Sequence, residues 1–470
     1  MSPGCNHVGD VSSRARRDNP DGSVNARTRA LSEDRSVLRV ELRPGAYHDS
    51  IVLMLASRRM LDAPGVEAAM VAMATDLNLS MLRDAGLWTA ALEDARPDDL
   101  ILAVRGTDAG AAIDAAEAAL AERTPAAGAG PGQVPARTVR TAAQRMAGAN
   151  IAMISVPGEH APWSCWDALR AGLNVFCFSD NVSVADEVRL KREALGRGLL
   201  FMGPDCGTAI LDGVGLGFSN LVPRGPVGIV GASGTGIQQL SCLLAHQGVG
   251  VSQAIGVGGR DLSPEVGGLM TRDAIARLDE DPETEVIVVV SKPAQAELEA
   301  RKPLVPALLA PGVDLTRIAL EVGGGSLPPD PEPGGWRGGV DGIFSGGTLR
   351  DEAALIWASN PRFNAVDYGA DEYTRGRAHP MIDNAVRIDA IRRARGLVYL
   401  DVVLGRGAHP DPAAELAPAL EGRPAVVVLV GVEADPQGLS RQRAAFEATG
   451  ALVYLSNSRA ARSLLEESEA

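Results

Sequence analysis

From about Thr138 onward the chain repeats one pattern: a short, almost wholly apolar run, a small-residue turn, and then a stretch of helix length. The runs NIAMISV, NVFCF and LLFM come first, with helices expected over Trp163 to Ala171 and Val184 to Gly196. PVGIV, VSQAIGV and EVIVVV follow, and LVYLDVVL, AVVVLVGV and ALVYL close the series. Strands that are apolar throughout, rather than alternating, belong to parallel sheets covered on both faces by helices. The 4% aromatic content fits sheet cores built from Val, Ile, Leu and Ala. An α/β architecture is therefore expected.

At 470 residues the chain exceeds one compact core. The expected division is a disordered tail over 1–36, a small α+β domain over 37–123 and a linker over 124–137, rich in Ala, Gly and Pro. Two α/β units then occupy 138–222 and 223–321, a low-complexity hinge 322–339, and a last α/β unit 340–470. No apolar run approaches the ~20 residues of a membrane span. The first 36 residues carry six arginines interrupted by acids and lack an apolar core, so no secretory signal is read there. Five scattered cysteines without CxxC spacing fit a reducing, cytoplasmic setting and give no metal site.

A net charge of −14 argues against nucleic acid as a partner. It leaves room for a small anionic substrate, because a few backbone amides and one cation reverse the local sign. The place for that is GIVGASGTGIQQL, where a buried strand ends and Ser233, Gly234, Thr235 and Gly236 lead into a helix. Backbone N–H groups at a helix start point at an anion, and two hydroxyls add donors. The spacing is neither Walker A nor GxGxxG, and a ligand-free tight turn would read the same. The next strand ends at the same carboxyl edge with Gly258, Gly259 and Arg260, the natural cation for a phosphate or carboxylate. Ser345, Gly346, Gly347 and Thr348 repeat the strand–loop–helix logic, as do Gly405 and Gly407. Lys292, after a further strand, is the alternative cation to Arg260, and His379 and His409, near loops or helix starts, are the histidine candidates for a catalytic role. Cys206 and His246 read as structural.

These words also carry a resemblance. Over about Asn150 to Pro293 the order FMGPDCGTAI, GIVGASGTG, GVGGRDL and DPETEVIVVV resembles the α-subunit of succinyl-CoA synthetase. SVPGEHA, FSDNVS, SKP, FSGGT and HPMID look specifically like the FdrA family. The resemblance implies a Rossmann-like CoA-binding-type domain over 138–222 and flavodoxin-like ligase-type domains after it, the β-type part fused at the C-terminus. It also places Asp205 where the ligase has asparagine.

In the ligase a histidine carries a phosphoryl group and a glutamate supports it. Here Ser291 and Lys292 follow the strand, and no histidine lies between His246 and His379. No ATP-grasp segment is present. FdrA resemblance implies a subunit of an oxamate carbamoyltransferase, with companion subunits and phosphate as substrate. The alternatives are an NDP-forming acyl-CoA ligase subunit, with CoA as ligand, and a silent scaffold; a homo-oligomer is compatible with each. By the same resemblance the Ser233, Gly258 and Gly405 loops should close around one site.

Overall fold

The computed structural model describes residues 36–46, 48, 50–121, 136–292, 297–332, 334–374 and 378–469. Residues 1–35 of the tail expected over 1–36, and most of the linker expected over 124–137, lie outside the described residues.

The N-terminal unit runs β1 (Val37–Arg43), α1 (Ser50–Leu61), β2 (Val66–Met73), α2 (Asp76–Asp84), β3 (Leu100–Gly106) and α3 (Ala109–Ala121). Its three strands pair antiparallel in the order β1-β3-β2. The central strand reads LILAVRG because both its faces are covered. Leu100, Leu102 and Val104 pack on α1 and α3, while Ile101 and Ala103 meet Leu82, Leu87 and Leu92.

The second unit comprises α4 (Val139–Arg145), β4 (Ile151–Ile154), α5 (Ala161–Arg170), β5 (Asn174–Cys177), α6 (Val184–Gly196) and β6 (Phe201–Met202). Its strands are parallel, in the order β4-β5-β6. A hairpin, β7 (Thr208–Leu211) and β8 (Val214–Gly217), precedes β9 (Val227–Gly231), α7 (Gly234–His246), β10 (Val251–Gly256), α8 (Leu269–Glu280), β11 (Val286–Ser291), β12 (Leu304–Leu308) and α9 (Leu315–Gly323). The sheet order is β12-β11-β9-β10-β7-β8. The hairpin thus belongs to the sheet that follows it, joined antiparallel through Ala254 and Ile210.

The C-terminal unit runs β13 (Val340–Phe344), α10 (Gly347–Trp357), β14 (Phe363–Asp367), α11 (Asp371–Thr374), α12 (Ala385–Arg393), β15 (Leu397–Val403), α13 (Pro412–Leu420), β16 (Ala425–Val430), α14 (Leu439–Glu447), β17 (Leu452–Tyr454) and α15 (Asn457–Glu469). All five strands are parallel, in the order β14-β13-β15-β16-β17.

Two features of this topology place the site. In the six-stranded sheet the chain leaves β9 for β10 on one side and returns to β11 on the other. In the five-stranded sheet it leaves β13 for β14 and returns to β15. Both β9 and β13 therefore stand where the winding reverses, and the crevice outside the carboxyl ends of such strands is where open α/β sheets bind ligands. The helices leaving them, α7 and α10, pack against each other.

Helix α7 is buried from Thr235 to Leu244 and carries no Asp, Glu, Lys or Arg. A helix enclosed on all sides is apolar all round. Two of its polar residues are tied toward the C-terminal unit: Gln239 Nε2 donates to the Leu455 carbonyl at 3.1 Å, and Gln238 Nε2 to Asn220 Oδ1 at 3.1 Å, the Asn220 amide itself donating to Leu404 and Asp435. Cys242, from the same helix, joins the core formed by Val426, Val428 and Tyr454 of the C-terminal sheet.

Candidate functional site: two helix N-termini in one cleft

Ser233 is the N-cap of α7. Its backbone is extended, and its hydroxyl accepts the Gly236 N–H at 3.0 Å. The amides of Gly234 and Thr235 belong to the first turn, which has no intrahelical acceptors. Gly346 caps α10 with a similar extended backbone and no side chain, leaving the first-turn amides from Gly347 onward in the same condition.

The two helix starts touch. The Ser233 hydroxyl is hydrogen-bonded to the Thr348 hydroxyl. A Cβ at Gly346 would overlap the Thr235 side chain, with Oγ1 2.7 Å and Cβ 2.8 Å away. Gly346 is therefore required by the close approach of α10 to α7.

A buried polar atom points into this junction. Thr208 is 1% exposed, and its hydroxyl has no hydrogen-bond partner among the described residues. It lies 3.0 Å from where a Gly234 Cβ would stand. Buried hydroxyls are normally satisfied, so this one has a hydrogen bond to offer a ligand or water beside the helix starts.

Charged groups gather on the α10 side. Lys292, at the end of β11, has Nζ 3.5 Å from a Cβ position on Gly347 and 3.9 Å from Asp351 Oδ2. Arg350 pairs with Asp351 at 3.0 Å. Asp367 Oδ2 lies 2.9 Å from the same Gly347 Cβ position. Burial pushes the Asp367 carboxyl up, and the nearby Arg350 and Lys292 partly oppose that rise.

His379 reaches the same place from beyond β14. Its ring packs on Phe218 with centroids 5.5 Å apart. Nδ1 accepts the Met381 N–H at 3.2 Å, which assigns the proton to Nε2 and makes that nitrogen a donor. Burial, then Arg387, pushes its pKa down to about 4, so the ring is neutral at pH 7.

Behind the α10 loop, Ser345 is fixed rather than free. Its N–H and hydroxyl both donate to Asp401, at 2.7 and 3.0 Å. Asp401 in turn meets Arg387 at 3.1 Å. Burial raises Asp401 to about 6, partly offset by Arg387.

Other expected site residues go elsewhere. Arg260 is bound to Glu187 at 2.9 Å and to the Val182 carbonyl at 2.7 Å. It closes over a buried cluster in which Lys191 Nζ contacts Glu187 and Asp261, each at 2.7 Å. Its charge serves Glu187, not a ligand at the Ser233 loop.

His409 is 6% exposed, with Nδ1 accepting the Asp411 N–H at 3.1 Å and Nε2 3.2 Å from Glu415. Both nitrogens are occupied in a packing contact that also engages Arg58 of the N-terminal unit, hydrogen-bonded to Glu415.

The backbone of the Gly405 loop is taken up by other contacts. Gln437 takes both the N–H and the carbonyl of Gly405, at 3.0 and 2.9 Å. Arg406 bridges to Ser219, and Gly407 lies against Gly217 and Phe218. The backbone that was to bind an anion is used to join the two halves, and the Ser345 loop takes its expected place beside Ser233.

Gly258 and Gly259 stay near the first loop. Gly258 has φ +87° and a Cβ there would overlap the Pro204 carbonyl, whereas a Cβ on Gly259 would lie 3.5 Å from Asp205 Oδ2 and 3.9 Å from the Ala232 carbonyl. Asp205 is exposed, with φ 56°. Cys206, 2% exposed, has its thiol pushed up by burial, as a packing residue should.

Thr208, Arg350 and Asp367 were not singled out from the sequence. The signal for Asp367 was its position at the end of β14, level with Phe344 and one residue before the Ser345 loop.

Three family models match the chain. They are described as AllF, heavy metal-associated domain (residues 36–135), CoA binding domain (224–303) and CoA-ligase (343–465). The first description implies a soft metal, yet residues 36–135 contain no cysteine and one histidine, His48. Thiolate sites need cysteine, so these residues cannot build one. Among the described residues no group of three or more His, Cys, Asp or Glu is placed to hold a metal ion. No described helix is long and apolar enough to cross a membrane.

The succinate–CoA ligase [ADP-forming] subunit alpha of Aquifex aeolicus (strain VF5) is 34% identical over 158 residues, covering 32% of this chain and 50% of that protein. The same subunit of Staphylococcus epidermidis is 30% identical over 219 residues, 46% and 68% of the two chains. Among solved structures, the dinucleotide forming acetyl-coenzyme A synthetase 1 of Ca. Korarchaeum cryptofilum, in complex with phosphate and ADP, aligns over 73% of this chain and 87% of that one, with TM-score 0.28 and 16% identity. The uncharacterized protein YahF of Escherichia coli (strain K12) is 36% identical over 486 residues, covering 86% of this chain and 93% of that protein. The chain belongs to the family of YahF, within the succinyl-CoA synthetase-like superfamily of NDP-forming acyl-CoA ligases.

Proposed function

We propose that the cleft between α7 and α10 is an anion site and that the chain is the phosphate-binding subunit of a carbamoyltransferase. The reaction is the attack of phosphate on oxalurate, giving oxamate and carbamoyl phosphate. The observation that carries this reading is the contact of two helix N-termini at two reversal points of parallel sheets, with the unsatisfied Thr208 hydroxyl beneath them. Two partly buried N-termini each contribute up to ~2 kcal/mol to an anion. Acyl transfer to phosphate needs that cradle and donors for the oxyanion, and His379 Nε2–H and the α10 amides are such donors. It needs no covalent histidine, in keeping with Ser291 and Lys292 at the end of β11. The likeness to FdrA supplies the substrate, and companion subunits complete the enzyme.

The matches to CoA-binding and CoA-ligase models favour a second reading, a subunit of an NDP-forming acyl-CoA ligase working with an ATP-grasp chain. The two are separated by incubating the protein, in the complex in which it is isolated, with oxalurate and phosphate or with succinate, CoA and ATP. Carbamoyl phosphate and oxamate in the first mixture support the transferase. Succinyl-CoA in the second, with no carbamoyl phosphate in the first, replaces it with the ligase.

A further inference from the structure

Transfer of a carbamoyl group to phosphate has a proton requirement that the anion cradle does not meet. Hydrogen phosphate loses its proton as its oxygen bonds to the carbamoyl carbon. The nitrogen that leaves takes the electron pair of the broken C–N bond and must gain a proton. One group that accepts the first and supplies the second balances the reaction with no further reactant.

We propose that Asp367 is that group, the proton shuttle of the cleft; the assignment rests on the carbamoyl-transfer reading. Parallel pairing of β14 with β13 sets Asp367 opposite Phe344, at the carboxyl edge from which the Ser345 loop leaves. Its Oδ1 accepts the Gly369 N–H at 2.9 Å, which fixes the carboxylate plane. Its Oδ2 lies over the first residue of α10, 2.9 Å from the Gly347 Cβ position.

The neighbouring cations leave it available. Among the described residues, the ion pairs of Lys292 and Arg350 run to Asp351, at 3.9 and 3.0 Å, and not to Asp367. They still hold positive charge beside it, which favours the carboxylate between turnovers. Burial acts in the opposite sense and raises its proton affinity, the direction a carboxyl needs in order to exchange protons near neutral pH. The other titratable groups facing the position are Asp351 on α10, Asp401 on β15 and His379.

His379 is the alternative shuttle, and its geometry argues against it. A Cβ on Gly369 would meet His379 Nε2 at 2.8 Å and Asp367 Oδ1 at 3.1 Å, so the two flank the same glycine. Because Nδ1 is taken by the Met381 N–H, Nε2 can donate but not accept. The ring therefore suits an oxyanion, and the carboxylate suits the proton.

The test uses Asp367→Asn, which keeps the shape and cannot carry a proton, and Asp367→Glu, which can. Each is purified in the same complex as the wild type, with its melting temperature and phosphate affinity measured beside turnover of oxalurate. Expected for Asp367→Asn are phosphate affinity within threefold of wild type, turnover down by about 100- to 10,000-fold, and loss of the acidic limb of the pH profile. Asp367→Glu should recover part of the rate with that limb displaced. A folded Asp367→Asn variant that turns over within threefold of wild type, with the same pH profile, overturns the assignment and leaves the carbamoyl-transfer reading standing. A wild-type complex that makes no carbamoyl phosphate overturns the reading itself.

Discussion

Replacing Gly346 with alanine perturbs the cleft at its narrowest point. The added Cβ would fall on the Thr235 side chain, with Oγ1 at 2.7 Å and Cβ at 2.8 Å. Thr235 is 6% exposed and β-branched within a helix, so it has little freedom to rotate away. The strain must be relieved by moving the start of α10 off the start of α7, and overpacking of this kind costs about 1 to 3 kcal/mol of stability. If α10 no longer faces the anion, one buried helix terminus is lost. At ~2 kcal/mol that is a ~30-fold weaker phosphate Kd. Calorimetric titration of phosphate into wild type, Gly346→Ala and the double variant Gly346→Ala with Thr235→Gly measures it. The glycine lacks every side-chain atom that the alanine would strike, so the double variant should regain most of the affinity. Gly196→Ala, where a Cβ meets nothing within 4 Å, is the control and should bind as wild type. Gly346→Ala protein that is less stable but binds phosphate normally would refute the two-terminus cradle.

Four further outcomes follow from the same geometry. Arg260→Ala should leave phosphate affinity within twofold, because its guanidinium serves Glu187; Lys191→Met, which leaves Glu187 and Asp261 buried without their shared cation, should lower stability in urea by about 3 to 5 kcal/mol. Gly405→Ala should lower the melting temperature by wedging the Ser219 contact open, yet leave phosphate binding unchanged, as titration would show. Burial raises Glu352, on α10, to about 7 from an ordinary carboxylate value. The folded state therefore binds this proton more tightly than the unfolded chain, and the stability it confers, full at low pH, is lost as pH rises from about 4.5 to 7. Unfolding midpoints in urea at pH 5 and pH 8 should differ more in wild type than in Glu352→Gln.

The parallel sheets were legible because most of their strands are apolar on both faces, although β4 is apolar and half exposed, with Met153 54% exposed. The glycine loops were legible because each ends such a strand. Their pairing was not. Ser345 and Gly405 are equivalent in sequence, each in a small-residue loop after a buried strand, and only the strand order places one at a reversal point and the other against β8. Arg260 looked like a ligand because its partner, Glu187, lies 73 residues away in another unit. Asp367 drew no notice because β14, at the edge of its sheet, reads FNAVD, too polar to stand out beside its neighbours. Thr208 is conspicuous only through what it lacks among the described residues, a hydrogen-bond partner in a buried place.

The central claim is that one anion sits between the starts of α7 and α10. Arsenate, a phosphate analogue whose arsenic scatters anomalously, locates it directly in soaked crystals. The account predicts an anomalous peak within hydrogen-bonding reach of the Gly234, Thr235, Gly347 and Thr348 amides, weaker in crystals of Gly346→Ala soaked at the same arsenate concentration. Arsenate bound only beside Asp205 and Gly259, or against the Gly405 loop, with nothing between the two helix ends, would contradict it.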